Sequence, residues 1–273
     1  MRMMQVRMAA AVLNGLGRYR KGVVLLAALR EIGPARGLLN WLLGFRRKFD
    51  SYHSAEAMAL RYDTRGHTHQ EDIDFHTSIA GVVRESDYAM LYFMARSAGR
   101  YRRVFDLGGN VGNLFYSYAP WLELSPELRW TVCDLPEKRE YCEALAAKRG
   151  ESRVKFATAL EDASGVDAFI ASGSMHYFPQ RLDKLLGGLA ELPKQIFVNR
   201  SPFSRGEDVI TIQDNGSYLV PCVAYGKLGL IEGMKSLGYE LRAEWLVHER
   251  RLRVPMYEDV MEPYYAGLFF ERS

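Results

Sequence analysis

Cysteine is scarce in this chain. Three occur among 273 residues, Cys133, Cys142 and Cys222, widely spaced, odd in number and without a CxxC pair. That argues against a disulfide framework and against a zinc site, and it fits a reducing compartment. Long apolar runs are missing too. The best stretch, residues 22–45, is interrupted by Arg30, Glu31, Pro34 and Arg36, whereas a bilayer span needs roughly 20 mostly apolar residues. The first residues carry positive charge, but 9–16 make only a weak apolar stretch with no convincing cleavage site, so a cytoplasmic location is expected. There is no internal repeat and no low-complexity tract.

Acidic side chains are nearly absent from one end. Residues 1–50 hold ten Lys/Arg against only Glu31 and Asp50, a balance of +8, so with an overall charge of +3 the remainder sums to −5. The cations are interleaved with Val23, Val24, Leu25, Leu26, Leu38, Leu39, Trp41, Leu42 and Leu43. Such a segment either caps a neighbouring domain with its charges solvated or lies peripherally on an anionic membrane surface. Nucleic acid is a poor partner, because the rest of the chain is acidic and shows no basic-aromatic module.

What is present is ordinary globular chemistry, 48% hydrophobic and 25% charged, at a length that suits one large α/β domain with an appendage. Residues 1–100 are expected to form a basic helical lid or cap, with two helices in 1–50 divided at Gly33-Pro34, since proline breaks helical bonding. Residues 51–80 read as a polar loop with short helices, bearing His53, His67, His69 and His76. A helix over 86–98 would set Tyr88, Leu91, Tyr92 and Ala95 on one face. From residue 101 the pattern changes. Apolar runs at 104–107, 130–133, 154–157, 168–171 and 196–199 alternate with amphipathic segments at 111–121, 137–148, 181–191 and 228–237. Strands at 240–247 and 266–270 follow. This spacing implies an α/β fold with a mostly parallel sheet covered on both faces and an antiparallel hairpin at one edge.

The most informative stretch is VFDLGGNVG, residues 104–112. A buried strand ends at Asp106. Gly108 and Gly109 permit a tight turn past a ligand, and Gly112 lets the next helix approach. The second strand ends in Asp134, 28 residues after Asp106, where a carboxylate can accept hydrogen bonds from ribose hydroxyls. Both features suit an adenosine-containing ligand. The pattern GGNVG departs from the GxGxxG of dinucleotide enzymes, which counts against, without excluding, a nicotinamide-dependent oxidoreductase.

In this order VFDLGGNVG, TVCDLPE, DAFIASGSMHYF and IFVNRSPF resemble the class I S-adenosylmethionine-dependent methyltransferases. More closely, the run from Glu85 onward resembles a group of methyltransferase-type proteins found with bacterial surface-polysaccharide genes. The glycine loop and the Asp-Leu-Pro run are similar to caffeate-type small-molecule O-methyltransferases. The resemblance implies a Rossmann-like seven-stranded class I sheet over residues 101–273. It also implies S-adenosylmethionine as cofactor and S-adenosylhomocysteine as product. The methionyl end of the cofactor would lie along Asp106, Gly108, Gly109, Asn110 and Gly112, with Ser172 and Gly173 nearby. Asp134 would hold the ribose, Leu135 would pack on adenine, and Leu160 or Glu161 would lie near its edge.

Methyl transfer needs nucleophile, methyl and sulfur aligned, and in some cases a base. His176 follows Asp167 by nine residues, the spacing that the catalytic histidine of the caffeate-type enzymes shows. A histidine with a pKa of about 6.5 can take a hydroxyl proton near neutrality, although the same residue can equally cap a helix. Tyr177 either orients the substrate or fills the core. Arg200 either binds an anionic substrate through its guanidinium fork or sits in a surface ion pair. Gln213 and Asp214 resemble polar residues facing the pocket in the relatives. The histidines and acids of residues 67–76 match no metal-ligand spacing, and no metal is expected. The expected function is methyl transfer to an oxygen of a small-molecule or glycosyl acceptor. N-methylation and a non-catalytic binding protein at a membrane surface are the rivals, and oligomer formation is left open.

Overall fold

The protein, seen in a computed structural model, is described over residues 2–62, 68, 70–216 and 218–272. Among the described residues the helices are α1 (Arg2–Leu16), α2 (Arg20–Glu31), α3 (Gly33–Leu43), α4 (Tyr52–Leu60), α5 (Gln70–Ser78), α6 (Asp87–Ala95), α7 (Asn113–Tyr118), α8 (Arg139–Lys148), α9 (Leu182–Leu186) and α10 (Lys227–Ser236). The strands are β1 (Arg103–Leu107), β2 (Arg129–Cys133), β3 (Val154–Ala157), β4 (Ala168–Ser172), β5 (Gln195–Ser201), β6 (Phe203–Ser204), β7 (Val209–Asp214), β8 (Leu219–Gly226), β9 (Tyr239–Val247) and β10 (Tyr265–Arg272). The chain divides into two compact units, each assembled from three separate segments.

The larger unit comprises residues 67–201, 230–250 and 266–273. It contains a seven-stranded sheet in the order β3-β2-β1-β4-β5-β10-β9. Strands β3 to β5 run parallel, and β10 pairs antiparallel with β5. With β10 set antiparallel against the parallel strands, this is the seven-stranded Rossmann-like sheet expected from the sequence. Strands β1, β2, β4 and β5 are buried almost throughout, as strands covered on both faces must be. Their apolar residues join Met90 and Met94 of α6, Leu114, Phe115 and Tyr118 of α7, and Cys142 of α8 in one core.

The smaller unit comprises residues 1–66, 202–229 and 251–265. Residues 67–100 therefore belong with the sheet, and two later segments belong with the N-terminal helices. A three-stranded sheet, β6-β8-β7, lies here, with β7 and β8 antiparallel over six residue pairs. The sequence pattern predicts no strand between residues 199 and 228, so this sheet is a finding of the structure. Val6, Phe45, Phe49, Ala55 and Ala59 pack with Ile212 and Leu219, and Ala10, Leu26 and Leu43 pack with Met256.

One expectation about helices needs correction. Residues 1–50 form three helices, because α1 ends at Leu16, between Gly15 and Gly17, where each glycine weakens helix by about 1 kcal/mol. The expected break at Gly33-Pro34 holds, with Pro34 in the first turn of α3, where its missing N–H costs nothing. In α6 the buried residues are Asp87, Met90, Leu91 and Met94, while Tyr88 and Tyr92 are each 64% exposed. Apart from Asp87, α6 is apolar all round, so spacing alone did not fix its inward face; a buried charge does, as described next.

Candidate functional site

Strands β1 and β4 are neighbours, yet their connections leave in opposite directions, to β2 on one side and β5 on the other. At such a switch point a crevice opens beyond the carboxyl ends of the strands. The loop after β1 lines it. Gly108 and Gly112 take left-handed conformations, and so does Asn110, with φ of 54°. A Cβ on Gly108 would stand 2.4 Å from that of Ser174, and one on Gly109 would stand 2.6 Å from Asp106 Oδ2. The loop therefore accepts no side chain at either position. Asn110, in the place of the usual middle glycine, tolerates the left-handed region because asparagine is among the few L-residues that enter it readily.

Asp134 holds this loop in place. Its Oδ2 accepts from Asn110 N–H at 2.8 Å and its Oδ1 from Leu135 N–H at 2.8 Å. The buried Lys138 ammonium lies 3.7 Å away. Each carboxylate oxygen keeps a further lone pair, so the group can brace the loop and still accept from a ligand hydroxyl. Leu135, expected to pack on adenine, follows it and is 41% exposed. Leu160 is half-buried and Glu161 exposed, in the turn after β3.

Beneath the loop, Asp106 is fully enclosed. Its Oδ2 accepts from Trp130 Nε1 at 3.3 Å, and its Oδ1 has no hydrogen-bond partner among the described residues. Burial pushes the carboxyl up to about 7, with Asp134 adding to the rise and Trp130 and Arg200 opposing it. Ser174 Oγ donates to Leu107 O at 2.5 Å and ties the end of β4 to the end of β1. Ser172 is half-buried, its hydroxyl without a partner among the described residues, and Gly173 takes φ of 78°. His176 is buried in a single 3-10 turn, Met175–Tyr177, directly after β4, with its ring centroid 4.1 Å from that of the half-buried Tyr177.

Arg200 is the residue whose setting departs most from a surface ion pair. It is 2% exposed, with φ of 50°, and its Nη2 donates to Asp87 of α6. Its Nε and Nη1 have no partner among the described residues. Tyr118 O–H donates to the same Asp87 oxygen at 2.7 Å, and Arg84 N–H to the other at 2.9 Å. Burial lowers the Arg84 guanidinium to about 10, assisted by the neighbouring Arg200. Asn199 is buried next to it, donating to Ser86 O at 3.2 Å and accepting from Trp245 Nε1 at 3.0 Å. Glu249 in turn accepts from the Ser86 backbone and hydroxyl. Sequence reading found Arg200 but missed Asp87, Tyr118, Arg84 and Trp245. The available signal was a single aspartate opening an otherwise apolar helix.

Asp214, read as facing the pocket, is held within the smaller unit by Arg7 Nε and Nη2 and by Arg46 Nη2 at 2.6–2.8 Å; Gln213 precedes it on β7. His67 and His69 lie outside the described residues, His53 is exposed beside Glu56, and His76 stands in α5. Among the described residues no group of three or more His, Cys, Asp or Glu could hold a metal ion, and no helix is long and apolar enough to cross a membrane.

No protein-family model matches the chain, and no curated protein matches it. Among solved structures it is similar to the Burkholderia thailandensis 1,6-didemethyltoxoflavin-N1-methyltransferase, bound to its acceptor and S-adenosylhomocysteine. The identity is 18%, over 82% of this chain and 92% of that one, with a TM-score of 0.49. It is also similar to an O-methyltransferase from neocarzinostatin biosynthesis, at 17% identity over 81% and 66% of the two chains and a TM-score of 0.46. A third is the magnesium protoporphyrin IX methyltransferase of Synechocystis, at 12% identity over 74% and 84% and a TM-score of 0.47.

Proposed function

We propose that this chain is an S-adenosylmethionine-dependent methyltransferase acting on an oxygen of a small-molecule or glycosyl acceptor, with S-adenosylhomocysteine as product. One observation carries the reading: at the β1/β4 switch point, a left-handed glycine loop that admits no side chain is braced by the carboxylate ending β2.

The residues present fit the cofactor. Gly108, Gly109, Asn110 and Gly112 offer backbone at close range to its methionyl end, with Ser172, Gly173 and the unmatched Oδ1 of Asp106 beside it. Asp134 would accept from the ribose, Leu135 would cover the adenine, and Leu160 or Glu161 would meet its edge. The cofactor supplies an electrophilic methyl on a sulfonium. The chain's own residues do the rest. His176, buried at the tip of β4, accepts the hydroxyl proton of the acceptor. Tyr177 orients that acceptor. Arg200 offers its two unmatched nitrogens, Nε and Nη1, as donors to an anionic group on the acceptor, in a dry setting where a charge-assisted hydrogen bond is strong.

Calorimetric titration with S-adenosylmethionine and S-adenosylhomocysteine, with NAD as control, tests the class. Micromolar binding of the first two is expected, weakened at least tenfold by Asp134→Ala. A folded protein that binds neither overturns the reading, and binding of NAD alone moves it to an oxidoreductase. With an acceptor in hand, His176→Ala should lower kcat by about 10²- to 10⁴-fold at unchanged cofactor affinity. Near-normal turnover would remove the base and favour N-methylation, since an amine nucleophile can react without one.

A further inference from the structure

Among the described residues, eleven of the 21 exposed large apolar side chains lie within residues 4–42, and their arrangement is regular. On α1, Val6 and Ala10 point into the smaller unit, while Met4, Met8, Val12 and Leu16 repeat every four residues on the outer side, 43–65% exposed. Helix α2 buries Leu26 and exposes Val24 and Leu25. Helix α3 buries Leu43 and exposes Leu38, Trp41 and Leu42, with Trp41 at 70%. Tyr19, between α1 and α2, is 71% exposed. A helix on a globular unit ordinarily turns polar residues outward. Here the outward stripes are apolar, and exposed apolar faces on three successive helices mark a surface that meets something else.

The charges say what. Arg7 and Arg46 are taken by Asp214, and Arg30 by Asp259 and Glu31. Arg18, Arg20, Lys21 and Arg36 are exposed and have no carboxylate partner among the described residues. Glu31 is the only acid before Asp50. We infer that the outer faces of α1, α2 and α3 dock on an anionic lipid bilayer surface. The apolar stripes would enter the headgroup boundary, Tyr19 and Trp41 would sit at its level, and the four free cations would meet lipid phosphates. A symmetric contact with a second copy would instead bring these same uncompensated cations together, which electrostatic complementarity disfavours. The inference is independent of the methyl-transfer reading.

The test is co-sedimentation of the full chain with vesicles of phosphatidylcholine alone or mixed with phosphatidylglycerol. Binding to the mixed vesicles is expected, at least tenfold weaker on phosphatidylcholine alone and weakened similarly by about 0.5 M salt, where the Debye length falls to a few ångströms. Met8→Asp with Trp41→Asp should lose binding at least tenfold. Arg20→Glu with Lys21→Glu, which touches no buried side chain, should do the same and stands in if the first pair misfolds. Equal failure to bind either vesicle overturns the inference. So does a dimer in sedimentation velocity that Met8→Asp/Trp41→Asp dissociates while vesicles remain unbound, since a second copy would then be the occupant.

Discussion

Asp106 and Arg200 are two buried ionisable groups whose consequences can be measured separately. A carboxyl raised to about 7 holds its proton in the folded state and loses it in the unfolded one between about pH 4 and pH 7. In that window the folded state binds more protons, so Asp106 makes stability fall as pH rises and has no further effect above it. Asp106→Asn keeps an oxygen for Trp130 Nε1 and removes the titration. Urea unfolding should show the variant gaining on the parent by roughly 2–4 kcal/mol between pH 4.5 and pH 8; a constant difference would show that Asp106 does not titrate there. Asp87→Asn removes the charge facing Arg200 and leaves a buried guanidinium uncompensated, a loss of about 3–5 kcal/mol. Asp87→Asn with Arg200→Met should recover much of that. The two sites differ in how readable they were. Gly108 to Gly112 and Asp134 are one strand end and the next, so their spacing is visible in a single pass. Asp87 and Arg200 are 113 residues apart, and no local pattern announces such a pair.

At the scale of elements, strands covered on both faces were the easiest to find, because burial makes them continuous apolar runs. Strands β7 and β8 were missed although they are regular, since their partners are each other and the α4 segment rather than an alternating helix. Strand β10 is held by a close approach. A Cβ on Gly267 would stand 2.0–2.3 Å from the Trp245 ring, and that ring donates to Asn199 beside Arg200. Gly267→Ala should therefore cost about 1–3 kcal/mol, seen as a lowered Tm, and should displace Trp245, seen as a change in near-ultraviolet circular dichroism. An unshifted Tm would mean that the ring moves freely.

At the scale of the molecule, the expected boundary at residue 100 and the observed division differ for a physical reason: sequence neighbours were grouped, whereas packing groups distant segments. Ile212 and Leu219 find their core with Val6, Phe45 and Phe49. A chain starting at residue 68 should therefore expose those strands, with about 1.5–3 kcal/mol lost for each large side chain uncovered. It should aggregate or bind a hydrophobic dye, and a truncated chain that stays monomeric with a sharp melt would refute this. Within the smaller unit Asp214 is partly buried, yet hydrogen bonds from Arg7 and Arg46 outweigh burial and hold its carboxyl below the usual range. Its contribution is present above about pH 4 and fades as pH falls further. Asp214→Asn should flatten the acid limb of the unit's unfolding curve. The division also bears on synthesis. The helices of residues 1–60 leave the ribosome well before residues 202–229 that complete their core, and at ~5–20 residues per second that delay is roughly 7–30 s. For that interval the growing chain carries an apolar surface with no partner yet made, so its yield in a cell should depend on what shelters the nascent helices as much as on the stability of the finished fold.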